Sequence, residues 1–365
     1  MSQLLTEEEF NTLFKDPPKS IFDRVLYKIG QGILGINKGI PTSFPKMDVF
    51  TTGIQKGEYI LIAGETNVGK TKFARDQFVY NPYEYCQSNN IPINFIDFSL
   101  EMSMEDNMAD FICKKIYNDH SIIVTRNYLF SRGQYAISPN VYKRYISKSF
   151  QNYIDEFEKH ITIYDDDVTP SSYHNRLLYY AKKHGTFENP DETIISKMGK
   201  YTPDNPELYT IVLLDTLNLT EPESSQTTKQ SIDRISRIGV WFRKVCDFTI
   251  VNLQQFSADL SSTDRSRFGT RTPILRDLED SRRPGKDCSI AYGLFDPVPH
   301  DMEQILGYDV KQLAGWIRTL HLMKNRNGEK DKALGVQFKG AIGKFQELPP
   351  ANKMTAGDYR FYTSN

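Results

Sequence analysis

Cysteine is scarce: the 365 residues hold four, Cys86, Cys113, Cys246 and Cys288, scattered without the paired spacing of a disulfide framework or a metal site. Three sit in apolar stretches, so buried free thiols in a reducing compartment are expected. An excess of either charge is also missing. Lys plus Arg number 45 against 46 Asp plus Glu, a formal net charge of −1. That balance excludes a wholly basic polyanion binder, and any nucleic-acid contact must come from local patches. No apolar run approaches the ~20 residues of a membrane span, and the N-terminus carries no basic-then-apolar leader. A soluble cytoplasmic protein without membrane contact is the expectation. Internal repeats and low-complexity tracts are absent too, so the chain reads as one large α/β unit with smaller appendages.

What is present centres on Gly64-Glu65-Thr66-Asn67-Val68-Gly69-Lys70-Thr71. Before it, Tyr59-Ile60-Leu61-Ile62-Ala63 is an apolar run of buried-strand length; after it, Phe73, Ala74 and Phe78 fall at helical spacing. A strand feeding a glycine-bounded loop that opens a helix is the context of a phosphate-binding loop. Successive backbone N–H groups can then wrap a phosphate at the positive end of the helix. Gly64 and Gly69 permit backbone angles and approaches that a Cβ forbids. In this pattern Lys70 reaches the β- and γ-phosphate oxygens of ATP, and Thr71 offers its hydroxyl to Mg²⁺.

Taken in order, residues 1–38 read as an N-terminal arm, with a helix from Ile21 to Leu34. Residues 39–348 read as the body, with a surface insertion at 186–208, and 349–365 as a C-terminal tail. Further strands are expected at Ile93–Phe98, His160–Tyr164, Tyr209–Asp215, Phe248–Leu253, Ser289–Phe295 and Arg318–Met323. Leu334, Val336 and Phe338 alternate as one face of a terminal hairpin. Strands alternating with helices predict a mostly parallel twisted sheet covered by helices on both faces.

Ligands of such sheets bind beyond the carboxyl ends of the strands. Those ends are expected to carry the loop at 64–71, Glu101, Asp215, Gln254, and Lys324 with Arg326. Triphosphate hydrolysis needs such a set: Asp215 for Mg²⁺, Glu101 to orient or deprotonate water, Gln254 to sense the γ-phosphate.

Together these motifs resemble, over about 41–348, the RecA-like motor domain of hexameric replicative DNA helicases of the DnaB type. The resemblance rests on Pro41-Thr42 through Gly53, the phosphate-binding loop, Ser99-Leu100-Glu101-Met102, Asp215 after its apolar run, Ile235-Ser236-Arg237, Gln254, Asp277 to Ser281, and Lys324-Asn325-Arg326-Asn327-Gly328. It implies a RecA-like P-loop NTPase with Glu101 as catalytic base and Asp215 as Walker-B acid. It further implies that Arg326 is an arginine finger given to a neighbouring subunit, with Lys324 beside it. The implied assembly is a homo-oligomeric, hexameric ring on single-stranded DNA, using ATP and Mg²⁺, with a primase or a helicase loader as partner. A short arm in place of the family's collar domain, and the divergent Tyr/Phe/Asn/Lys-rich sequence, suggest a phage or another mobile element. Channel-facing loops are expected at 257–276, with Arg265, Arg267 and Arg271, and at 218–230, with Lys229; such contacts are salt-dependent and sequence-tolerant. Two other readings stay open: a nucleotide-switched DNA-binding scaffold, and a RecA-like recombinase or regulatory ATPase that does not unwind.

Overall fold

Tyr59–Gly64 forms β1, buried along its whole length. In the computed structural model, which describes residues 6–13, 20–35, 38–145, 148–192, 197–257, 272–313 and 315–363, it is followed by β2 (Ile93–Ser99), β3 (Ile161–Tyr164), β4 (Gly185–Phe187), β5 (Tyr201–Pro203), β6 (Tyr209–Asp215), β7 (Thr249–Gln255) and β8 (Ile290–Phe295). Then come β9 (Gln304–Ile305), β10 (Tyr308–Asp309), β11 (Ile317–Asn325), β12 (Lys332–Lys339) and β13 (Lys344–Glu347). Nine of these make one sheet in the order β13-β12-β11-β8-β1-β7-β6-β2-β3. The run from β8 to β3 is parallel, whereas β11, β12 and β13 continue it antiparallel. The expected RecA-like architecture, with its terminal hairpin, is therefore present.

Period-two alternation divides β1 between two cores. Tyr59, Leu61 and Ala63 face one side, under Tyr173, Leu177 and Ala181 of helix Pro170–Lys183 and Ile232, Ile235 and Phe242 of helix Thr228–Val245. Ile60 and Ile62 face the other, under Phe73, Phe78 and Tyr83 of the helical stretch 70–89 and Phe111 of helix Met104–His120. Local chemistry starts these helices: Thr227 with Gln230, and Thr169 with Ser172, form reciprocal capping boxes. The stretch 70–89 is interrupted by a π-turn at Asp76–Tyr80.

Two regions depart from expectation. The segment read as a surface insertion is anchored instead: β4 pairs with β5, and Phe187, Met198 and Tyr201 enter the core. Prolines and polar neighbours masked those three apolar contacts. The C-terminal tail likewise forms a helix, Ala356–Thr363, that buries Tyr362, whose carbonyl accepts from Gln337 Nε2 at 2.5 Å. The arm helix, Ile21–Ile33, starts with a capping box (Ser20 with Asp23) and leaves Ile21, Phe22 and Ile29 at 74, 68 and 54% exposure. No described helix is long and apolar enough to cross a membrane.

Candidate nucleotide site

β1 ends at Gly64, and the helix that follows begins at Lys70. A Cβ at Gly64 would stand 2.8 Å from the Leu294 carbonyl oxygen, and Gly69 has φ +100° with Phe338 Cζ 2.9 Å from where its Cβ would be. Neither position tolerates a side chain, which is why the loop is bounded by glycine. Lys70 folds over the loop: its Nζ donates to the carbonyls of Gly64 (2.9 Å) and Glu65 (2.8 Å). Burial depresses the Lys70 pKa, opposed by Glu101, Asp215, Glu65 and Glu279. Thr66 and Asn67 are exposed, and Val68 is buried. Glu65 is tied to His300, whose Nε2 lies 2.7 Å from its Oε2. Arg318 Nε donates to the Val68 carbonyl (3.1 Å), bracing the loop from β11.

The two acidic residues arrive from neighbouring strands. Ser99 pairs with Asp215 across β2 and β6, so both strands end level with each other. Asp215 is 1% exposed, and neither of its carboxylate oxygens has a hydrogen-bond partner among the described residues. Burial pushes its carboxyl up to about 6, a rise restrained by Arg75, strengthened by Glu101 and restrained again by the nearby Thr71 hydroxyl. A buried carboxylate left open beside a threonine hydroxyl fits a hard divalent cation that also takes phosphate oxygens. Exposed Glu101 accepts from Thr71 Oγ1 at 3.4 Å. Lys70, Thr71, Glu101 and Asp215 thus converge at the carboxyl end of the parallel strands.

Gln254 lies on β7 beside the end of β1, pairing with Ala63. Its side chain is fully buried: Nε2 donates to the carbonyls of Glu279 (2.6 Å) and Ser281 (2.7 Å), and Oε1 has no hydrogen-bond partner among the described residues. Its donors therefore hold the segment around Asp280, to which Asn218 is also joined.

Lys324 and Arg326 are elsewhere, correcting the expectation that they share the strand ends with the phosphate-binding loop. β11 runs antiparallel to β8, so Asn325 lies opposite Ile290, which pairs with Ile60 near the start of β1. At ~3.3 Å per residue, the four residues from Ile60 to Gly64 put them about 13 Å along the strands from that loop. Only β8 separates β11 from β1, so the separation lies along the strands more than across them. There Lys324 Nζ donates to the carbonyls of Gly285 (2.7 Å) and Lys286 (2.8 Å), and Arg326 Nη2 to Lys286 (2.6 Å). Asn327 donates to the buried Glu58 (3.1 Å).

Of the candidate DNA contacts, Arg265, Arg267 and Arg271 lie outside the described residues. The described ends flanking them are fixed beside the nucleotide loop: Phe256 N donates to the Gly64 carbonyl (3.1 Å) and Ser257 N to the Asp277 carbonyl (2.7 Å). Exposed Lys229 is ion-paired with Asp233 at 3.2 Å. Arg75 was missed by sequence reasoning. It is 3% exposed and reaches Asp97, Ser99, Met102 and Asp215. The available signal was Asp97, a charge inside an apolar strand run.

Residues 39–135 match the family described as the DnaB-like helicase C terminal domain. The chain is 24% identical over 293 residues to the replicative DNA helicase DnaB of Helicobacter pylori, which covers 80% of this chain and 50% of that protein. It is 35% identical over 75 residues to the Geobacillus stearothermophilus DnaB, 20% of this chain and 15% of that one. The chain thus spans about half the length of the first of these curated relatives and less of the second. Among solved structures, a DnaB-like replicative helicase, described with its interactions with primase, superposes with a TM-score of 0.62 at 21% identity over 92% of this chain and 68% of that one. A second solved structure, an isolated ATPase domain, gives 0.62 at 19% identity, covering 91% of this chain and all of that one.

Proposed function

This chain carries a DnaB-like helicase C-terminal motor domain, and on that premise we propose that it is an ATP-dependent motor that moves along single-stranded DNA as a ring. The observation that carries the reading is the convergence of Lys70, Thr71, Glu101 and Asp215 around a glycine-bounded loop. Lys70 leaves its loop carbonyls for the β- and γ-phosphate oxygens. Thr71 and Asp215 would hold Mg²⁺ alongside the triphosphate. When bound, that ion neutralises charge developing on the transferred phosphoryl group. Glu101 orients water and takes its proton; being exposed, it can accept from solvent that enters with substrate.

Lys324 and Arg326 complete the site of an adjacent subunit rather than their own, for they lie at the opposite end of the strands from the phosphate-binding loop. The exposed apolar face of the arm helix supports a homo-oligomer, hexameric by family resemblance. Single-stranded DNA would run against the first turn of helix Thr228–Val245, with Lys229, and against the segment that carries Arg265, Arg267 and Arg271. A primase or a loader is the partner class the family suggests, in the cytoplasm.

The test is strand displacement on a forked duplex, run beside ATP hydrolysis with and without single-stranded DNA. Unwinding with DNA-stimulated hydrolysis is expected. Stimulated hydrolysis without displacement would instead indicate a recombinase or regulatory ATPase, and DNA binding without hydrolysis a nucleotide-switched scaffold.

A further inference from the structure

Arg75 is the only guanidinium among the described residues that touches a carboxylate of the nucleotide site. It lies four residues beyond Thr71 on the same helical face, where the α-helix gives way to the π-turn at Asp76–Tyr80. Such turns recur where a helix must aim a side chain at a functional site. Its Nε donates to Asp97 Oδ2 (3.2 Å), its Nη2 to Ser99 Oγ (3.1 Å) and its Nη1 to Met102 Sδ (3.5 Å), with Asp215 Oδ2 3.5 Å away.

Those four partners span three elements. Asp97 and Ser99 belong to β2, Met102 to the loop that also carries Glu101, and Asp215 to the end of β6. A second set of bonds fixes the same loop: Ser99 Oγ donates to the Met102 carbonyl (2.6 Å), and Asn107 Nδ2 to Ser99 Oγ (2.8 Å). A salt bridge this deep is a weak source of stability, since desolvating both charges offsets much of their attraction. Stability alone therefore gives little reason for an arginine here. Its planar fork, reaching several acceptors in fixed directions, supplies what a lysine cannot.

Resting on the ATPase reading above, we propose that Arg75 is a positioning residue for hydrolysis: it locks Asp215 and the Glu101 loop to the helix that bears Lys70 and Thr71. It faces Oδ2 of Asp215 and touches neither Lys70 nor the phosphate-binding loop. Removing it should therefore leave triphosphate binding intact while loosening the metal-holding and water-activating side chains.

The experiment replaces the buried pair as a unit, Arg75→Leu with Asp97→Leu, so that Asp97 is not left as a lone buried charge and Asp215 is the one carboxylate to lose its cation. Circular dichroism checks the fold, a fluorescent ATP analogue reports binding, and ATP hydrolysis is followed across a Mg²⁺ titration. Outer-shell partners of metal ligands are typically worth about 10–100-fold in activity or metal affinity. A fall in kcat of that order is expected, with a higher half-saturating Mg²⁺ and analogue affinity within about 2-fold of wild type. Should the double variant fail to fold, Arg75→Lys decides: it keeps a cation against Asp97 but loses the fork. Its kcat should drop at least ~10-fold with KM nearly unchanged. In whichever variant folds, wild-type kcat and Mg²⁺ dependence would overturn the proposal. Absence of hydrolysis by the wild-type protein in the same assay would refute the ATPase reading itself.

Discussion

Glu58 precedes β1 and is 4% exposed. Burial raises its carboxyl from 4.5 to about 7, against the pull of the Gln55 backbone, Asn327 and Arg243. Its Oε1 accepts from Asn327, while Oε2 is buried without a hydrogen bond. Between pH 4.5 and 7 the folded protein holds a proton that the unfolded chain releases, so this group lowers stability as pH rises through that window. Above about 7 the full cost is present. At ~1.36 kcal/mol per unit, a shift of about 2.5 units corresponds to about 3 kcal/mol. Glu58→Gln keeps a carbonyl for Asn327 and removes the ionisation. Relative to wild type, the variant should therefore gain little below pH ~5 and about 3 kcal/mol at pH ~8. Thermal melts of both proteins from pH ~5 to ~8 measure this as a difference in Tm that widens by several degrees. Comparing variant with wild type at each pH isolates Glu58 from other titrating groups, such as Asp215. A Tm difference that stays flat across the range would refute the reasoning.

Glu101→Gln should keep ATP-analogue affinity while hydrolysis falls by ~100-fold or more, since the amide preserves shape but takes no proton; turnover within a few-fold of wild type would point to another base. Mixing inactive Lys70→Ala with inactive Arg326→Ala protein should restore part of the hydrolysis, because an arginine supplied in trans typically contributes ~10³-fold or more. No rescue in the mixture would show that Arg326 acts within its own subunit or not at all. Phe22→Asp with Ile29→Asp, on the exposed arm face, should lower the oligomer mass seen by light scattering without shifting the melting of the subunit; an unchanged mass would free that face from any assembly role.

Much of the sheet was legible because buried parallel strands read as continuous apolar runs, and each run from Tyr59 to Phe295 became a strand. The phosphate-binding loop was legible because Gly64 and Gly69 are demanded by backbone conformation and close contacts. Strand direction was not. Ile317–Asn325 is apolar whichever way it runs, and only its pairing with β8 reveals that Arg326 emerges at the far edge. For Gln254 the position on β7 was readable, but what engages its amide donors depends on the segment at 279–281 folding back over it. Arg75 reads as one more base on an amphipathic helix until Asp97 and Asp215 are brought beneath it.

The antiparallel course of β11 has a consequence for counting. Each subunit presents a phosphate-binding loop at one end of its strands and Lys324 with Arg326 at the other, so subunits joined head to tail would share their sites. An open run of n subunits contains n − 1 complete sites, and only closure supplies the last. Turnover per subunit would then report ring closure: it should rise with protein concentration as open runs lengthen, and level off once no end remains.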